Sequence, residues 1–127
     1  MNNHFDAKQG LIVVQAKVIG PTHSVMAELA LDTGCEQTSI NRRVLESIGY
    51  DLETIEDSRS MITGSGIVTT PELRIRQIQA LSRRRQNLKI FCHDLPAELE
   101  VDGMLGLDFF RDRRLTLDFK TGKIELE

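Results

Sequence analysis

Short runs of alternating apolar and polar residues, cut by turn signals, constrain this chain more than any other feature. The clearest pair comes first. Within 11–19, Ile12, Val14, Ala16 and Val18 share one parity while Gln15 and Lys17 take the other. A period of two puts the two sets on opposite faces of a strand. Gly20-Pro21-Thr22-His23 is a turn signal. Beyond it Val25, Ala27, Leu29 and Leu31 alternate with Met26, Glu28 and Ala30. The pattern predicts a β-hairpin whose second strand runs straight into Asp32-Thr33-Gly34.

The same signal recurs down the chain. Gly64-Ser65-Gly66 lies between Met61, Ile62, Ile67 and Val68, which predicts a hairpin with a flexible tip over 59–70. Strand character resumes over 71–81 through Leu73 and Ile75. Leu88, Ile90 and Cys92 then alternate with Lys89, Phe91 and His93. Arg83-Arg84-Arg85 between these segments reads as a solvated turn. Asp102-Gly103 marks another turn. Leu115, Leu117 and Phe119 alternate, 120–123 turns, and Ile124 and Leu126 end the chain as a last strand. Helical signals are few: Asn41 as cap for 42–48 with Gly49 beyond its end, and Leu107, Phe110 and Arg114 at helical spacing over 107–114. Many short strands and few helices predict a closed or sandwiched β architecture. Residues 1–10 are polar and read as a loose N-terminal tail, leaving 11–127 as one domain.

The bulk numbers exclude more than they assign. A chain of 127 residues, 40% hydrophobic, supports one modest core. A net charge of -3 gives no reason to expect a nucleic-acid partner. Two cysteines, Cys35 and Cys92, are too few for a disulfide framework, so a reduced, cytoplasmic setting is the default. Residues 1–10 lack the apolar centre of a signal peptide, and no run approaches the ~20 apolar residues of a membrane helix. A membrane partner is therefore not expected from this chain, although a longer anchored precursor stays open. Cys92-His93-Asp94 has the residue types of a metal site, but neighbours on a strand point to opposite faces, and His4 and His23 lie far off in sequence. We expect no metal and no cofactor. No Lys-Ser/Thr follows Gly64-Ser65-Gly66, so it is no phosphate loop, and Ser65 lies in no nucleophile-elbow pattern.

By itself Asp32-Thr33-Gly34 reads equally well as a surface turn or as an ionisable group held in a tight loop. The apolar approach through Ala30 and Leu31, and the return to β-type residues at Thr38, Ser39 and Ile40, favour the second reading. A lone Asp, with an ordinary pKa of about 3.9, is a weak base at neutral pH. Two carboxylates in contact cannot both ionise cheaply, so they share a proton and can act as base and acid together. Within the chain the candidates for a second carboxylate are Asp102, read as a turn residue, and Asp108, read as a helix-start residue favoured by the dipole.

Three segments carry a family resemblance. Ala30-Leu31-Asp32-Thr33-Gly34-Cys35-Glu36-Gln37-Thr38-Ser39-Ile40 resembles the active-site segment of retropepsin-like aspartic proteases. Met61-Ile62-Thr63-Gly64-Ser65-Gly66-Ile67-Val68 resembles their flap hairpin. Met104-Leu105-Gly106, followed by Leu107-Asp108-Phe109-Phe110, resembles their second signature. That last run and the hairpin over 115–127 are most similar to single-domain bacterial members, and the likeness spans about 11–119. The resemblance implies an all-β, acid-protease closed barrel with one or two short helices. It also implies an aspartic endopeptidase active as a homodimer below neutral pH, whose partners are a second copy and a peptide or protein substrate. Two copies of Asp32 would meet across a twofold axis and activate a water between them. Thr33 would brace the two loops, and the Gly34 carbonyl would meet the substrate backbone. Gly64, Ser65 and Gly66 would bind the substrate through backbone amides, and Leu105 and Gly106 would support the catalytic loop from behind. A non-catalytic dimerisation or peptide-binding module of the same fold is the alternative. Cys35 stands where the family has Ala or Ser, either as a small buried filler or as an oxidisable thiol beside the site.

Overall fold

The computed structural model describes residues 4–55 and 57–127, Met61 by its backbone alone. The first hairpin forms as the alternation requires. Strands β1 (Val13–Ile19) and β2 (Ser24–Leu31) pair antiparallel, with Ala16 opposite Ala27 and Val18 opposite Val25. Val14, Ala16, Val18, Ala27 and Leu29 are buried, while Gln15, Lys17, Met26 and Glu28 face outward. The chain continues through β3 (Ser39–Ile40), helix α1 (Arg42–Ser47), β4 (Ser58–Thr63), β5 (Gly66–Ala80), β6 (Arg83–Cys92), β7 (Gly103–Leu105), helix α2 (Leu107–Phe110), β8 (Leu115–Asp118) and β9 (Lys123–Leu126).

Six of these strands close into a barrel in the order β1-β2-β7-β3-β6-β5. The ring is completed where β5 returns to β1, with Lys17 opposite Gln79 and Ile19 opposite Gln77. Closure leaves no unpaired strand edge within the ring. Its interior is filled by Leu29, Ile40, Ile75, Ile78, Ile90, Leu105 and Phe109, all fully buried. Strand β4 stands outside the ring and pairs with the outer half of β5, from Ser58 opposite Pro71 to Thr63 opposite Gly66. This is the hairpin predicted around Gly64-Ser65-Gly66. Strands β8 and β9 form a separate two-stranded sheet. The segment read as a loose tail meets it at two points: His4 bridges to Lys123, and the Phe5 amide donates to the Gly122 carbonyl at 2.7 Å. The Phe5 ring meets Phe119 edge to face. None of the helices among the described residues is long and apolar enough to cross a membrane.

Three local readings need correction. The expected helix over 107–114 ends after one turn, because Arg111 adopts an extended ψ and Asp112 a left-handed φ of 66°. The arginine run is no solvated turn. The turn itself is Leu81-Ser82, with φ of 50° and 64°, and Arg83 and Arg85 lie on β6. The Arg83 guanidinium donates to the carbonyls of Phe109 and Arg111, and that of Arg85 donates to the carbonyl of Asp108. These are the acceptors that a one-turn helix leaves open. Asn41 does precede α1, but its side chain does not cap it. The Asn41 amide ties two distant loops by donating to the Val101 carbonyl and accepting from the Leu95 amide. The cap is supplied from 52 residues away, by Asp94 Oδ1 accepting the Arg42 amide at 2.8 Å.

Candidate active site

Strand β7 is what shapes the loop carrying Asp32. It slots between β2, to which it is parallel, and β3, to which it is antiparallel. The chain must therefore pass from β2 to β3 over the end of β7. The Asp32 amide donates to the Leu105 carbonyl at 3.0 Å, which pins the start of the crossing. Gly106 sits directly beneath. A methyl group there would lie 2.7 Å from the Cys35 carbonyl oxygen and 3.0 Å from the Gln37 carbonyl carbon, so only glycine lets the loop pack this closely.

Helix α2 then grips the loop from below. Its first amides have no partner within a single turn. Leu107 N–H donates to the Cys35 carbonyl at 2.8 Å, and Asp108 N–H to the Glu36 carbonyl at 3.2 Å. The Asp108 carboxylate takes both donors of the buried Thr38: the amide at 2.9 Å and the hydroxyl at 2.6 Å. The Thr38 hydroxyl in turn accepts from Gly106 N–H at 3.0 Å. Burial pushes the Asp108 carboxyl up, and hydrogen bonds from Thr38 and the Phe109 amide only partly offset it. Sequence reading assigned Asp108 to the helix dipole and did not single out Thr38. An acid set between Leu107 and Phe109 in an apolar run was the available signal, but its partner lies 70 residues away.

Within the loop Asp32 is half-buried, and Thr33 and Gly34 are exposed. Asp32 Oδ1 accepts the Gly34 amide at 2.8 Å, and the Cys35 amide closes the turn onto the Asp32 carbonyl at 3.2 Å. Asp32, Gly34 and Cys35 form one wall of a cleft of about 550 Å³, roofed by Ile62, Gly64, Ser65 and Val68 of the β4–β5 hairpin. Gly66 takes a φ of +123° to turn this hairpin, and Thr63 Oγ1 both donates to the Gly66 carbonyl and accepts the Ser65 amide. Ile62 and Ile67 at the tip are 86% and 73% exposed. An apolar tip left in water over a cleft suits contact with something bound there.

Of the residues singled out from the sequence, the cleft therefore gathers Asp32, Gly34, Gly64 and Ser65. Thr33 and Gly66 lie beside it, and Leu105 and Gly106 form its support from beneath the loop. Ser39, His93, Asp94 and Met104 also line the cleft. Neither acid considered as an intrachain second carboxylate faces Asp32. Asp108 is committed to Thr38, and Asp102 accepts the Glu28 amide at the opposite end of β7. Cys92 is turned into the core, apart from His93 and Asp94.

The hairpin root is tied to the same loop. Arg59 donates to Gln37 Oε1 at 3.2 Å and lies 3.6 Å from Glu36. Gln37 donates to the buried Glu72 at 2.7 Å, and Lys89 meets the other Glu72 oxygen at 3.2 Å. Burial raises the Glu72 carboxyl, but the Gln37 and Lys89 hydrogen bonds and the charges of Lys89 and Arg59 outweigh it and hold it below its ordinary value. Cys35 donates its thiol to the Gln37 carbonyl at 3.0 Å, and burial together with nearby Asp32, Asp108 and Glu36 raises its pKa.

Comparison with known proteins bears on the family and the fold. A sequence profile described as aspartyl protease matches residues 14–109, from β1 to α2. Among solved structures, a retropepsin-like aspartic protease from Rickettsia conorii superposes with a TM-score of 0.73 over 97% of this chain and 86% of that one, at 18% identity. The fold is thus the retropepsin-like barrel. A search of curated proteins returned no match.

Proposed function

Because this chain belongs to the aspartyl protease family, we propose that it is an aspartic endopeptidase that works as a homodimer, with one Asp32 from each copy activating a single water. Each chain brings one Asp-Thr-Gly, and a twofold axis supplies the second carboxylate from the same patch of surface. Two carboxylates in contact share one proton, the established arrangement of aspartic proteases. One Asp32 then takes a proton from water as the water attacks the scissile carbonyl, and the other protonates the carbonyl oxygen. Thr33 braces the paired loops across the axis. The Gly34 carbonyl and the amides of Gly64, Ser65 and Gly66 hold the substrate as an extended strand.

The observation that supports this reading is the half-buried Asp32 in a cleft under an apolar hairpin, next to a Thr33-Gly34 turn left exposed rather than packed. The test is incubation with denatured casein or a peptide library from pH 4 to pH 7, beside Asp32→Asn. Cleavage by the parent and not by the variant is expected, together with a dimer by sedimentation. Hydrolysis by a strictly monomeric protein, or equal hydrolysis by Asp32→Asn, refutes it. Peptide retained without cleavage points instead to a binding module.

A further inference from the structure

The Ser39 hydroxyl is the one buried side-chain polar atom among the described residues without a hydrogen-bond partner. Its residue is fully buried, at 0% exposure. A hydroxyl in that position is costly to leave unmatched, so such groups mark places where a partner is absent from the free chain. Its surroundings show where that partner would sit. On β3, Ile40 points into the barrel core, so the preceding side chain points the other way. Ser39 contributes to the lining of the cleft that holds Asp32, beside Met104, which it faces across the β3–β7 pairing. Of the other polar groups on that lining, Asp32 Oδ1 accepts the Gly34 amide, Asp94 Oδ1 accepts the Arg42 amide, and Thr63 Oγ1 is used in the turn of the hairpin.

We propose that Ser39 is a specificity-determining residue, whose hydroxyl hydrogen-bonds a neutral polar side chain of the substrate, a hydroxyl or a carboxamide, seated beside Asp32. This rests on the reading of the cleft as a peptide-binding site. A hydroxyl both donates and accepts, so it matches a neutral group of either kind. The hydroxyl itself carries no charge to offset the desolvation of an ion, and Met104, Leu95, Pro96 and Val68 supply the apolar part of a lining that also holds Asp32, His93 and Asp94. A site that holds a hydrogen-bonding group discriminates against the isostere that lacks it, because the buried hydroxyl is then left unmatched.

Threonine and valine have the same shape and differ in one hydroxyl, so paired peptides differing only by Thr or Val at each position around the scissile bond provide the test. The parent is expected to favour Thr by about 10-fold in kcat/KM at one position. In Ser39→Ala the Thr/Val ratio at that position falls to about 1, and in Ser39→Thr it is retained. Reading the ratio within each protein separates recognition from a general loss of fold or activity. Equal ratios in the parent and Ser39→Ala at every position overturn the proposal. If the parent cleaves nothing, the protease reading fails, and the same pairs with a reduced, uncleavable bond are titrated by calorimetry. A Thr preference that disappears in Ser39→Ala then upholds the Ser39 assignment, and its absence overturns it.

Discussion

Replacing Asp108 by alanine removes the acceptor for two donors of a residue that has no access to water. Thr38 is 0% exposed, and its amide and hydroxyl both end on the Asp108 carboxylate. Each buried donor left without a partner costs about 1–3 kcal/mol, so Asp108→Ala is expected to destabilise the chain by about 2–6 kcal/mol. That is a large part of the roughly 5–15 kcal/mol that holds a domain folded. With a urea m-value of about 2 kcal/mol/M, the midpoint falls by about 1–3 M. Asp108→Asn keeps one acceptor and is expected to lose about half as much. Thr38→Val supplies the second arm of a double-mutant cycle. With Asp108 present it breaks the hydroxyl bond and strands the Gly106 amide. In the Asp108→Ala background it also deletes a hydroxyl that has already lost its acceptor, so it costs less. A coupling energy of about 0.5–3 kcal/mol is expected from urea titrations at one fixed protein concentration. If Asp108→Ala stays within about 0.5 kcal/mol of the parent, or Thr38→Val costs the same in both backgrounds, the clamp does not hold the loop.

Three further outcomes follow from the same contacts. Glu72 has a pKa lowered in the folded state, so its stabilising contribution is present above its ordinary value of 4.5 and is lost as the pH falls through the lowered one. Glu72→Gln should therefore cost stability at pH 7 and progressively less toward pH 3, read as the gap between urea midpoints; a gap constant with pH contradicts this. Gly106→Ala pushes a methyl group into the backbone of residues 35–38, and overpacking of this kind costs about 1–3 kcal/mol; unchanged proteolysis and unchanged stability would show that the loop relaxes freely. Cys35 holds its proton against the Gln37 carbonyl with a raised pKa, so thiolate is scarce. Iodoacetamide at pH 7 should label Cys35 more slowly than a free thiol in solution, and mild oxidant should leave proteolysis intact; rapid labelling with loss of activity would restore the reading of Cys35 as an oxidisable switch.

What the sequence determined by itself is what two-residue periodicity and turn chemistry can encode locally. The β1–β2 hairpin, its delivery of the chain into Asp32-Thr33-Gly34, and the hairpin around Gly64-Ser65-Gly66 were all legible, because each is written in neighbouring residues. The family motifs carried the barrel as well, since their order implies it. Only the tertiary structure decided which strand lies beside which: β7 enters between β2 and β3 more than 60 residues after the loop it supports, and no local pattern announces that pairing. The same holds for the side chains that hold the site. Asp94 caps α1 in place of Asn41, Arg83 and Arg85 cover the open carbonyls of α2, and Asp108 holds Thr38. A polar residue declares that it needs a partner, but the partner's identity depends on distances that exist only after the barrel has closed.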